Sequence, residues 1–164
     1  MNAFEYAMQM ELDGKKFYLE QAARMPEKAL SNIFEQLAKD EEKHYQIFKA
    51  LKDGQNADLA GFKTEILSST KNIFQEMKNS GKKFDDFSSD VINAWTKARE
   101  IEDKSEKFYR EQAQKSDDKE QANTWTVIAD EEHKHWVAMD NIVRFLDRPN
   151  HWLEDAEWSN LEAY

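Results

Sequence analysis

Two stretches of the chain carry the same unusual wording: LAKDEEKHYQIF at residues 37–48 and IADEEHKHWVAM at residues 128–139. Positions three and four apart share one face of a helix. That face reads Leu37, Glu41, His44, Phe48 in the first stretch and Ile128, Glu132, His135, Met139 in the second. A carboxylate, followed one turn later by an imidazole, interrupts an otherwise apolar stripe, twice and at the same place. An apolar stripe faces a core, and glutamate is almost never fully buried without a partner.

The likeness extends outward from these stretches. Residues 2–51 align with residues 93–142 without a gap, and sixteen of the fifty positions are identical. Chance agreement is about 6–7% for ordinary compositions. Lys16-Phe17-Tyr18 recurs as Lys107-Phe108-Tyr109, Glu20-Gln21-Ala22 as Glu111-Gln112-Ala113, and Glu11 as Glu102. A period of 91 residues with two copies is a duplicated helical hairpin, not a solenoid.

Each copy reads as two helices. The first runs over 2–24, and Pro26 suits the first turn of the second, 27–52, which stops at Asp53-Gly54. The second copy opens after Ser88-Ser89-Asp90, a cluster of N-cap residues, breaks at Ser116-Asp117-Asp118 and continues to about Leu146, before Pro149. Residues 53–89 form a long crossover, in which Phe62, Ile66, Ile73, Phe74 and Met77 mark a further amphipathic helix ending at Ser80-Gly81. The expected architecture is all-α: a four-helix bundle over 1–148, made of hairpins 2–52 and 90–146 and one helix-containing crossover. A tail, 149–164, carries Trp152, Trp158 and Tyr164.

Composition agrees. The 164 residues include only four Gly and two Pro, with 34% charged residues, which favours long helices over strands. With 33 acidic against 23 basic residues, the net charge is −10, and a nucleic-acid partner is not expected because phosphate binding needs a basic footprint. The chain has no cysteine, which excludes disulfides, thiolate metal sites and a cysteine nucleophile. Acidic residues at positions 5 and 11 and the lack of an early apolar run argue against a signal peptide, and no run approaches the ~20 apolar residues of a membrane span. The expected setting is cytoplasmic.

The stripes of the other two main helices are interrupted in the same way. The first reads Phe4, Ala7, Glu11, Gly14, Tyr18, Ala22; the third reads Val91, Trp95, Ala98, Glu102, Ser105, Tyr109, Ala113. Four glutamates at one height put four negative charges into one low-dielectric spot, which is strongly unfavourable alone. Two divalent cations would neutralise it, with both imidazoles as neutral ligands. A carboxylate–imidazole set without thiolate suits Fe, Mn or Zn, whereas Mg and Ca prefer all-oxygen sets. Two ions sharing carboxylates favour iron or manganese.

One Glu on helices one and three and Glu-x-x-His on helices two and four resembles the ligand pattern of the ferritin-like di-iron carboxylate proteins. The wording ELDGKKFY around Glu11 and Tyr18, DEEKH at 40–44 and EIEDKSEKFY around Glu102 resembles the rubrerythrin branch of that superfamily, over residues 2–146. The resemblance implies a ferritin-like bundle holding two Fe ions. In it Glu41 and Glu132 bridge the metals, Glu11 and His44 complete one sphere, and Glu102 and His135 complete the other. Tyr18 and Tyr109 match tyrosines that hydrogen-bond ligand carboxylates. Asp40 and Glu131 match positions that, in the bacterioferritin branch, support the His ring nitrogen across the bundle. His133, one position off the ligand face, and His151, in the tail, read as surface residues.

Two departures stand out. Rubrerythrins commonly carry a further Glu three residues after the helix-three ligand; here it is Ser105. A chain without cysteine also holds no rubredoxin domain, so electrons for a peroxidase cycle would come from an external donor protein. Gly14 and Ser105, at equivalent positions of the repeat, are small and are expected to leave space beside the metals for O2 or peroxide. The leading expectation is a di-iron oxidoreductase reducing hydrogen peroxide or O2. The alternatives are a ferroxidase for iron handling and a metal-stabilised interaction module. Trp152, Trp158, Tyr164, Phe62, Phe74 and Met77 are further expected either to support a homo-oligomer, such as a dimer, or to cap the bundle ends.

Overall fold

A computed structural model of the chain describes residues 1–154 and 158–159. Six helices follow in order: α1 (Ala3–Arg24), α2 (Lys28–Lys52), α3 (Ile66–Ser80), α4 (Ser89–Lys115), α5 (Lys119–Asp147) and α6 (Pro149–Glu154). No strand occurs among the described residues. The helix starts follow capping chemistry. The side chains of Asn2, Ser88 and Asp118 accept the free N–H groups of Glu5, Val91, and Glu120 with Gln121, at the heads of α1, α4 and α5. Gly81 ends α3 in the left-handed region, φ 68°, which glycine adopts without a Cβ clash. Pro26 lies in the turn between α1 and α2, two residues ahead of the helix whose first turn it was expected to occupy. Its neighbours Met25 and Glu27 are the extended C-cap and N-cap of the two helices.

The hairpins α1–α2 and α4–α5 pack antiparallel, and α1 meets α4 while α2 meets α5, which closes the four-helix bundle. The crossover helix α3 lies against α5 and α2, and α6 packs on α3 and α5. The expected stripes are the buried faces: Ala7, Glu11, Gly14, Tyr18 and Ala22 on α1, and Val91, Trp95, Ala98, Glu102, Ser105 and Tyr109 on α4. Helix α5 buries more than its stripe, adding Val137, Ala138, Phe145 and Leu146, because α3 and α6 cover a second side of it.

The core falls into two apolar clusters with the polar layer between them. One holds Phe34, Leu37, Trp95, Ile142 and Phe145 together with α3 and the tail. The other holds Ala7, Phe48, Phe62, Tyr109, Trp125 and Ile128. Each large apolar side chain buried in them contributes about 2 kcal/mol.

Two expectations about the accessory segments are corrected. Phe62 belongs to the loop before α3, and it packs in the second cluster, not with Phe74 and Met77 in the first. The aromatic residues expected to offer self-association surface are buried in the chain's own core: Phe74 meets Trp152, Trp158 and Phe145 ring to ring. Capping of the bundle end is what they do. Tyr164 lies outside the described residues. No helix among the described residues is long and apolar enough to cross a membrane.

Candidate metal centre

Glu11 on α1, Glu41 and His44 on α2, Glu102 on α4, and Glu132 and His135 on α5 converge at one height between the apolar clusters, all 3% exposed or less. Their ligand atoms form two groups, Glu11–Glu41–His44–Glu132 and Glu41–Glu102–Glu132–His135, each within 4.8 Å. Glu41 and Glu132 belong to both. The two imidazole rings lie nearly parallel, with centroids 5.8 Å apart. This is the six-residue set expected from the sequence, with the two Glu-x-x-His glutamates in the shared positions.

These side chains leave polar atoms unanswered. Glu11 Oε2, Glu41 Oε1, His44 Nδ1, Glu102 Oε2, both carboxylate oxygens of Glu132 and His135 Nδ1 are buried without a hydrogen-bond partner. Three tryptophan ring nitrogens complete that set among the described residues. His44 Nδ1 lies 2.6 Å from Glu132 Oε1 and 3.3 Å from Glu11 Oε1, close enough for ion pairing but out of line for a hydrogen bond. Orphaned buried acceptors are costly in a folded protein. Lone pairs aimed at one another from four helices fit a cation between them.

The electrostatics are those of like charges crowded into a buried layer. Burial pushes the Glu41 carboxyl well above its usual range, and Glu11, Glu132 and Glu102 push it further. Glu132 moves the same way, through burial first and then Glu102 and Glu11. Burial would also raise Glu102, but the His135 beside it, with hydrogen bonds from its neighbours, leaves it below its usual value. Both histidines run against burial, which favours the neutral ring. Glu11 raises His44, and Glu102 and Asp40 raise His135 well above the ordinary imidazole value.

Tyr18 and Tyr109 brace this layer crosswise. Tyr18 on α1 donates its hydroxyl hydrogen bond to Glu102 Oε1 on α4, and Tyr109 on α4 donates to Glu11 Oε1 on α1 at 2.6 Å. Each tyrosine thus holds the carboxylate of the opposite repeat. Burial and the surrounding carboxylates raise both phenols well above their usual values, so they remain donors.

Behind the candidate ligands the two repeats diverge. Asp40 Oδ2 accepts from His135 Nε2 at 2.9 Å, the cross-bundle support expected for it. Burial opposes its charge, but His135 and Thr64 hold its carboxyl below the usual value. Its counterpart Glu131 does not take the matching position at His44. It accepts the Thr64 N–H at 3.0 Å and lies 3.5 Å from Lys134 Nζ. His44 has Phe62 at 5.2 Å, centroid to centroid.

Gly14 also departs from expectation. A Cβ there would meet Glu41 Oε2 at 3.0 Å. The small residue makes room for the Glu41 carboxylate, so the space beside it is not free for an oxidant. His133 and His151 are exposed, as expected, and His133 pairs with Glu106 at 3.1 Å. Thr64 is the residue that sequence reasoning missed, since a loop carries no periodicity that would point at a helix face, and Phe62, read as part of the crossover helix, stands instead in the loop beside His44.

Among known proteins, the family model described as Rubrerythrin matches residues 2–143. No curated protein and no solved structure matches the chain.

Proposed function

The chain belongs to the rubrerythrin family, and from that premise we propose that it is a non-haem di-iron oxidoreductase that reduces hydrogen peroxide or O2. The observation that carries this reading is the pair of four-residue groups sharing Glu41 and Glu132, with their buried, unanswered lone pairs. Glu41 and Glu132 would bridge two irons; Glu11 and His44 would complete one sphere, Glu102 and His135 the other. Manganese or zinc would satisfy the same donors. Bound iron would supply the electrons for O–O cleavage.

The residues themselves hold and orient. The apolar clusters on either side keep bulk water from the layer, which strengthens every charge interaction inside it. Tyr18 and Tyr109, kept protonated by burial, fix one oxygen each of Glu102 and Glu11 and leave the other for a cation. Asp40 orients the ring of His135. These 164 residues contain no cysteine, so re-reduction would draw on an electron donor outside them, such as a separate electron-donor protein.

The test is anaerobic loading with two Fe(II) per chain, followed by stoichiometric hydrogen peroxide or air and monitored by absorbance. Rapid oxidation is expected, and it should disappear in Glu41→Ala and His135→Ala. Equal oxidation rates in wild type and variants would overturn the reading. Uptake of iron far beyond two ions per chain would replace it with iron storage.

A further inference from the structure

The crossover is tied to the metal layer through one residue. Thr64 stands in the loop just ahead of α3 and meets both acids that precede the shared glutamates. Its hydroxyl donates to Asp40 Oδ2, and its backbone N–H donates to Glu131 Oε2. The same hydroxyl oxygen accepts the N–H of Ile66 at 3.2 Å. One of its lone pairs is therefore engaged on the α3 side, and its proton is directed toward Asp40.

The order of donors is set by chemistry. An ionised carboxylate only accepts, so both groups on Asp40 Oδ2 must donate: the Thr64 hydroxyl and His135 Nε2, 2.9 Å away. The run is Ile66 N–H to Thr64 Oγ1, Thr64 O–H to Asp40, and His135 Nε2–H to Asp40. A proton held on Nε2 leaves Nδ1 as the ligating atom. That atom faces Glu102 at 3.3 Å and Glu41 at 3.7 Å, without a hydrogen-bond partner. Which ring nitrogen of His135 keeps its proton when the other ligates, and the orientation of the ring, thus depend on how firmly Asp40 is held, and Thr64 is what holds it from the crossover.

We propose that Thr64 is a positioning residue for the His135 half of the metal layer, acting through Asp40, and that the His44 half has no such brace. The inference rests on the two-metal reading above. It goes beyond that reading because it makes the two metal positions unequal and assigns the difference to a loop residue outside the repeat. The asymmetry has a visible cause: Glu131, the repeat's counterpart of Asp40, is turned to the Thr64 N–H, and Phe62 stands beside the His44 ring.

Thr64→Val removes the hydroxyl while keeping the shape and the backbone N–H to Glu131, and Thr64→Ser restores the hydroxyl. Two measurements apply. In the metal-free protein, the Nε2–H proton of His135 is followed by NMR. In titrations, Co(II) is competed against a chromophoric chelator. Valine should shift the His135 ring proton and leave the His44 ring resonances in place. It should also weaken one of the two Co(II) ions about tenfold, the lower end of what losing a ligand's outer support costs. Serine should return both readouts to wild type. The proposal is overturned if the ring proton and both affinities are unmoved by valine. It is equally overturned if both ions weaken alike, the melting temperature falls and serine fails to rescue. Wild-type protein that takes up no Co(II) would refute the two-metal reading instead, while the His135 proton would still decide whether Thr64 acts on that ring.

Discussion

The two hairpins are alike at the metal layer and unlike one residue behind it. Glu11, Glu41 and His44 repeat as Glu102, Glu132 and His135, and Tyr18 repeats as Tyr109, each reaching across to the other copy's glutamate. Yet Asp40 meets His135 while Glu131 meets the crossover loop. Duplication preserved the candidate ligand set, four carboxylates and two imidazoles. It did not preserve the support, because only one crossover exists and it covers α2 and α5 at one place. A pseudo-twofold set of candidate ligands inside an asymmetric wrapping gives two groups that are chemically similar but differently held.

The harshest way to break the comparison is to remove a shared ligand. Glu41→Gln or Glu132→Gln should abolish tight binding of both ions, whereas Glu11→Gln or Glu102→Gln should weaken mainly one, as read by metal stoichiometry after gel filtration. In the metal-free protein at neutral pH the sign reverses: Glu41→Gln should raise the melting temperature, because it removes a carboxyl whose ionisation is opposed by burial and by three neighbouring glutamates.

The pH dependence of the metal-free protein tests the same layer. Glu41 and Glu132 titrate above their usual 4.5 when folded, and the histidines above 6.5, so the folded state binds more protons than the unfolded. Stability from the two carboxyls is present at low pH and is lost as pH rises from about 4.5 through their raised folded values; that from the histidines is lost in the same way above about 6.5. Asp40 and Glu102 act oppositely, losing their contribution as pH falls below their usual values of 3.8 and 4.5. Thermal melts should therefore peak on the acidic side without metal. With metal the optimum should move upward, because ligands bind deprotonated.

A smaller effect separates the outer supports. Asp40→Asn should cost about tenfold in affinity for one ion, while Glu131→Gln should leave ring orientation unchanged and loosen the crossover, read as faster amide exchange at Thr64. Gly14→Ala and Ser105→Ala, at equivalent positions, should also differ. Alanine favours a helix by about 1 kcal/mol over glycine, but at position 14 its Cβ would press on Glu41 Oε2. Metal affinity should fall a few-fold there and hold at Ser105→Ala. The smallest change is expected at the exposed His133–Glu106 pair, where His133→Ala should shift stability by about 0.5 kcal/mol or less and leave metal binding intact.

Much of this is legible in the chain itself. The stripe of α2 follows from spacing alone, with Glu41 and His44 in it, and the cap residues Ser88 and Asp118 mark where helices begin. Other features are misplaced by spacing for identifiable reasons. Phe62 continues the apolar spacing of α3 but precedes the helix, since nothing in a pattern of apolar residues says where the first turn closes. Trp152 and Trp158 read as surplus apolar area because α3 has no position in space until the bundle is assembled.

The sequence by itself determined the helices, the repeat and the identity of the six candidate ligands, because a helix of fixed pitch converts spacing into a face, and a duplicated face can be checked against its copy. Only the tertiary structure decided which tyrosine holds which glutamate, that Gly14 yields its space to Glu41, and that Asp40 rather than Glu131 braces a histidine. Those relations join residues up to 98 positions apart. They depend on the relative height and rotation of packed helices and on the path of one loop, and no local periodicity encodes either.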